Sequence, residues 1–276
     1  MEIESIIVGM VTAVVAKTIE NVTGKFLKKF FPDDEKTINI AQNNCINFFL
    51  RVREINEKNK NSFTLNQDKL ESIVLEPNFK TFFEKTILLA SQTKFEDKHK
   101  LLGRLLLERM QNDTDDYFSL VAPQIVDILS SFNKKHLNTL AIAILLDGYR
   151  PGIKRGIDLK HPDTSYAGTY WRERLINFRD NMSTFNRFDM MYIIAQRCLY
   201  SDPVFGGRSV DSVLKSGFGN WDYKDFSNTE EYKILKMLND VLDCTTKTTT
   251  LGYTIGVMMH DIVFGTHTDM NTIYQN

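Results

Sequence analysis

The residue types able to do chemistry gather in two places. His260 and Asp261 are adjacent, with His267 and Asp269 close behind. A metal-dependent phosphohydrolase or nuclease uses imidazole and carboxylate groups, but it needs several well-separated ligands converging on one metal. His99, His136 and His161 have no spacing that joins them to the later group, so no metal site is assigned. The second place is the stretch from Tyr149 to Arg187. Arg150, Lys154, Arg155, Lys160, Arg172, Arg174, Arg179 and Arg187 stand there against the acids Asp158, Asp163, Glu173 and Asp180, with Tyr149, Tyr166, Tyr170 and Trp171 interleaved. Guanidinium forks grip phosphate and planar rings stack on bases, so the mixture suits a nucleotide or a short single strand. The expected contact residues are Arg150, Lys154, Arg155, Lys160, Trp171, Arg172 and Arg174. The competing expectation is that Tyr170 and Trp171 pack a helix while the arginines pair with acids or face water.

Other chemistry lacks its residues. There is no G-x-S-x-G, and Thr23-Gly24-Lys25 is only the tail of a phosphate loop set in an apolar helix. Asp115-Asp116 and Glu230-Glu231 read as solvated helix starts. Cys45, Cys198 and Cys244 are widely spaced and odd in number, which fits a reducing compartment; Cys45 and Cys198 sit in apolar runs as core residues. With 34 Lys and Arg against 35 Asp and Glu, bulk charge draws no polyanion, and any nucleic-acid site must be a local patch. The expectation is a protein that is not an enzyme and carries no cofactor or metal.

The elements that must position these residues read as helices throughout. Ile3, Ile7, Val11, Val14, Phe26 and Phe30 lie on one stripe of an N-terminal helix whose first half, from Ser5 to Ala16, carries no charge. Glu2 and Glu4 are wrong for a signal peptide, and the uncharged run of 12 residues is short for a span of about 20. Two expectations share that stripe. One is an oligomer seam. The other is a segment that meets a membrane, with Lys25, Lys28 and Lys29 near its end and Phe26, Phe30 and Phe31 as interfacial anchors. Residues 3 to 31, about 43 Å of helix at about 1.5 Å per residue, would then cross only as several copies, because Lys17 and Glu20 need burial.

A second helix is expected to begin within 31–35 and run to about 56, and further helices over 65–75, 78–90, 98–110 with Asp97 as cap, 117–132 around Pro123, and 134–146 capped by Asn133. Residues 147–168, with four glycines and two prolines, read as a long loop and the join between two lobes. Helices resume at 169–179, 185–200, 210–215, 228–242 and 251–264, and the threonine run 245–250 reads as a capped turn with Thr250 as N-cap. The fold class is an all-α multi-helix bundle, divided as 1–31 apolar helix, 32–147 N-terminal lobe and 148–276 C-terminal lobe.

Lys98-His99-Lys100-Leu101-Leu102-Gly103-Arg104-Leu105-Leu106-Leu107-Glu108-Arg109, followed by residues 125–146, resembles the core of the abortive-infection α group and its bacterial relatives. Leu251-Gly252-Tyr253-Thr254-Ile255-Gly256 is similar to a closing element in such relatives. The resemblance covers about 75–147 and 250–270, and leaves out the arginine-rich middle and the threonine run. It implies a helical protein of bacterial defence against phage and brings no catalytic residues with it. The resulting expectation is an effector that self-associates and moves from the cytoplasm to the inner membrane through its N-terminal helix. A nucleotide or short oligonucleotide, or an operon-encoded regulator, would control it. The alternatives are a cytosolic sensor or adaptor using that helix as a seam, and a phosphohydrolase or nuclease using His260, Asp261 and His267.

Overall fold

A computed structural model describes residues 23–31, 34–59, 63, 72–113, 116–151, 164–178, 182–202, 209–215, 218, 221–242, 246–270 and 273. The fold is all-α, with one two-stranded ribbon among the described residues. Ile3, Ile7, Val11 and Val14 lie outside them, so the membrane and seam expectations rest on sequence for those positions. Among the described residues no helix is long and apolar enough to cross a membrane.

Two compact units divide at Ser131/Phe132 and Phe264/Gly265. The described parts of 147–168, where the sequence places the join, lie within the second unit.

In the first unit, α1 (Glu35–Lys58) begins where the Asp34 carboxylate accepts from Thr37 N at 3.0 Å. Its buried face is Ile38, Ala41, Cys45, Phe48, Phe49 and Val52, the spacing of a helix lying on a core. α2 (Pro77–Gln92) starts on a proline, whose missing N–H is no loss in a first turn. α3 (Glu96–Gln111) is buried almost all round. Its cap is Phe95 and not Asp97, which falls in the first turn, where its charge suits the helix dipole. α4 (Tyr117–Ser131) carries Pro123 in its interior. α3 packs on α1, α2 and α4, and Gly103 fits tightly against α1: a Cβ there would lie 3.1 Å from Val52 Cγ2. The charged residues of α3 therefore need internal partners. Arg109 Nη2 donates to Glu76 Oε2 at 3.1 Å, Arg104 Nη2 donates to the Thr268 carbonyl at 2.7 Å, and His267 Nε2 lies 3.7 Å from Glu108 Oε1.

In the second unit, α5 (Lys134–Leu146) starts on a capping box in which Asn133 Oδ1 accepts from His136 N at 3.1 Å. α6 (Thr164–Ile176) begins inside the stretch read as loop. α7 (Arg187–Ala195) stops short, and Leu199–Ser201 forms strand β1 where the sequence suggested continued helix. α8 (Val210–Lys215) and α9 (Glu230–Val241) follow, the latter capped by Thr229. The threonine run is a second strand, β2 (Thr246–Thr248), and not a turn. β1 pairs with it in antiparallel register, Tyr200 opposite Lys247. The Asp147 carboxylate fixes the ribbon by accepting from Thr248 N at 2.7 Å and Oγ1 at 2.6 Å. Thr249, not Thr250, caps α10 (Thr250–Phe264).

α10 and α5 form the centre of this unit and approach at Gly256, where a Cβ would lie 2.7 Å from both Ile144 Cγ2 and the Leu140 carbonyl oxygen. Gly252 lets the same helix lie on the Cys198 carbonyl.

Candidate functional site

The basic and aromatic stretch divides into a buried part and an exposed part. Arg150 places its guanidinium 4.7 Å over the Trp171 ring and donates to the carbonyls of Leu145, Tyr149 and Val213, the last at 2.9 Å. Burial pushes its pKa below the ordinary arginine value. Trp171 is fully buried. Arg174 lies between the rings of Tyr170 at 4.8 Å and Phe264 at 4.7 Å, and donates to the Pro151 carbonyl at 3.1 Å. Tyr170 donates to that same carbonyl at 3.2 Å, and burial pushes its phenol up to about 12. These stacked cations tie the start of the 150s segment to α6 and α10. Arg150, Trp171 and Arg174 are thus part of the frame, a correction to their expected role as ligand contacts: their guanidinium and ring faces are covered by protein. Lys154, Arg155 and Lys160 lie outside the described residues.

Arg172 is different. It is exposed on α6, and its side chain has no hydrogen bond or ion pair among the described residues. It lines a groove of about 530 Å³ together with Gly168 and Thr169, one helical turn earlier on α6. The facing wall is Trp221, Asp222, Lys224, Asp225 and Phe226. Trp221 and Phe226 are both buried, their tilted rings 5.6 Å apart. Lys224 Nζ lies 3.6 Å from Asp222 Oδ2, an exposed and therefore weak ion pair. An exposed cation in a groove that aromatic residues also line can hold a small anionic ligand. A second groove, of about 410 Å³, runs along α1 past Asn43, Asn47 and Arg51. Arg51 is already held by Glu54 at 2.6 Å and Glu96 at 3.2 Å.

The histidine and aspartate group is not gathered into a site. His260 is fully buried in the second unit among Tyr149, Phe178 and Phe264, with Asp261 3.9 Å away. Burial pushes its pKa down, and Asp261 partly opposes this. His267 and Asp269 belong to the first unit, where His267 stacks edge-on against Phe63 at 4.9 Å. Among the described residues no three His, Cys, Asp or Glu side chains could share a metal ion. Cys45 and Cys198 are buried core thiols, each pushed up to about 12 by that burial. Of the N-terminal stripe, Phe26 is buried and Phe30 exposed, their rings 5.0 Å apart. Phe26 is therefore covered by protein here, not an exposed anchor.

A family model described only as "-like" matches residues 15–240, more than half of the chain. The chain belongs to that family. The family is uncharacterised. No curated protein and no solved structure matches the chain. The matched stretch includes both walls of the Arg172 groove and ends before His260.

The sequence reading missed the groove's second wall. Phe218, Trp221, Tyr223 and Phe226, interrupted by Asp222, Lys224 and Asp225, form a short aromatic and charged run between Gly217 and the start of α9. That run has the same mixture as the 149–187 stretch in fewer residues, and the mixture was the available signal.

Proposed function

We propose that this protein is a non-enzymatic effector of bacterial antiphage defence, of the abortive-infection type, controlled by an anionic ligand in the Arg172 groove. It acts as a homo-oligomer on the inner membrane through its N-terminal apolar segment. The observation that carries the ligand part is Arg172 itself: an exposed arginine without a partner among the described residues, on the wall of a groove of ligand size. The likeness of residues 98–109 and 251–256 to the abortive-infection α group supports the defence part.

One observation favours the second reading, a cytosolic sensor or adaptor. Thr23, Phe26 and Leu27 are buried within the first unit, and a Cβ at Gly24 would collide with the Gln42 side chain. The end of the N-terminal helix thus packs on protein. In the effector reading this end is the anchor, and the preceding residues do the work.

Phage challenge of cells carrying the wild type and Arg172→Glu tests the proposal, with circular dichroism as a check on folding. The charge reversal should leave the helical spectrum unchanged and remove protection. A folded R172E protein that protects as well as wild type would exclude control through this groove.

A further inference from the structure

Gly168 is out of place by the standard of the other helical glycines. Glycine inside a helix costs stability relative to alanine, so it needs a reason. At Gly252 and Gly256 the reason is packing, because a Cβ would run into backbone. At Gly168 a Cβ would meet, among the described residues, only Trp221 Cζ2, at 3.6 Å, an ordinary contact. No neighbour among the described residues requires this glycine. What it does is leave the α6 wall of the groove without a side chain at this position.

Three side chains around that position have no partner among the described residues: the Arg172 guanidinium, the Thr169 hydroxyl and the Asp225 carboxylate. Asp225 precedes the short 3-10 turn Phe226–Asn228 without capping it. No ion pair joins it to Arg172, although both face one groove. A free cation and a free carboxylate held apart call for a ligand with an anion at one end and hydrogen-bond donors at the other. A zwitterionic amino acid has both but would fill only a small part of about 530 Å³. A nucleoside phosphate fits the size and the chemistry. Its phosphate would meet Arg172 and Thr169, its base the edges of Trp221 and Phe226, and its sugar hydroxyls would donate to Asp225.

We propose that the groove between Gly168 and Asp225 binds a ribonucleotide, with Asp225 selecting the sugar by its hydroxyls. This rests on the ligand control proposed above and specifies its chemical class. Calorimetric titration of the full chain with AMP, ATP, their 2′,3′-dideoxy forms, pyrophosphate and free glycine tests it. The expected result is binding of at least one ribonucleotide, at least tenfold tighter than its dideoxy form. Asp225→Asn should erase that preference while leaving the dideoxy affinity unchanged, a readout that a structural role would not move. Gly168→Leu should weaken binding at least thirtyfold, whereas Gly168→Ala should raise the melting temperature by roughly 2–4 °C. Equal affinity for ribose and dideoxy forms, or pyrophosphate or glycine binding as tightly as any nucleotide, would overturn the ribonucleotide assignment. So would an absence of all binding, or full affinity in a folded G168L protein. None of these touches the ligand-controlled reading, which falls only if R172E retains protection.

Discussion

Arg150 and Arg172 are 22 positions apart in one basic stretch, yet their surroundings assign them opposite work. Arg150 is stacked on Trp171 and donates to three carbonyls, so truncation leaves buried acceptors and an uncovered ring. Arg150→Ala should lower unfolding stability by about 2–4 kcal/mol, and Arg172→Ala by less than about 0.5 kcal/mol, in urea titrations followed by circular dichroism. His260 supplies a pH dependence. Burial holds it, and likewise His99, below the ordinary histidine value of 6.5. Between that depressed value and 6.5, the unfolded chain binds a proton that the folded chain refuses. Their contribution to stability is whole above the unfolded pKa and is lost as pH falls below it. The melting temperature should therefore decline from about pH 6.5 downward. His260→Phe, placed among Tyr149, Phe178 and Phe264, should fold and flatten that decline, leaving the part due to His99. A slope identical to wild type would show that His260 does not titrate with unfolding.

At the scale of elements, the close crossing of α5 and α10 depends on Gly256. Gly256→Ala should cost about 1–3 kcal/mol because the added methyl meets Ile144 and the Leu140 carbonyl, while Gly168→Ala should stabilise by up to about 1 kcal/mol. A pair of thermal melts decides the contrast. The helices themselves were legible in the sequence where a stripe and a cap coincide. Ile38, Ala41, Cys45 and Val52 behind the acidic start at 33–35 are one such case, and the Asn133 cap before α5 is another. The strands Leu199–Ser201 and Thr246–Thr248 were not, because three residues carry too little periodicity. β2 is in addition held by Asp147, about a hundred residues away in sequence. The same limit hid the site. Composition marks 149–187 as basic and aromatic, but only the packing turns Arg150, Trp171 and Arg174 inward and leaves Arg172 outside. The partner wall at 221–226 comes from a run about 50 positions later.

For the whole molecule, the segments that resemble the abortive-infection group are shared between the two units, and the second unit holds the groove. In the proposed function the ligand biases a molecule whose acting part is the N-terminal apolar segment, anchored by the buried Thr23 and Leu27. Deleting residues 1–19 keeps that anchor, so the remainder should fold. Dye release from anionic liposomes, with the ribonucleotide that binds the groove present, is the most direct measurement. The wild type should release the dye, and the deleted protein should do so at least tenfold more slowly with an unchanged helical spectrum. Release undiminished by the deletion would contradict action through the N-terminal segment.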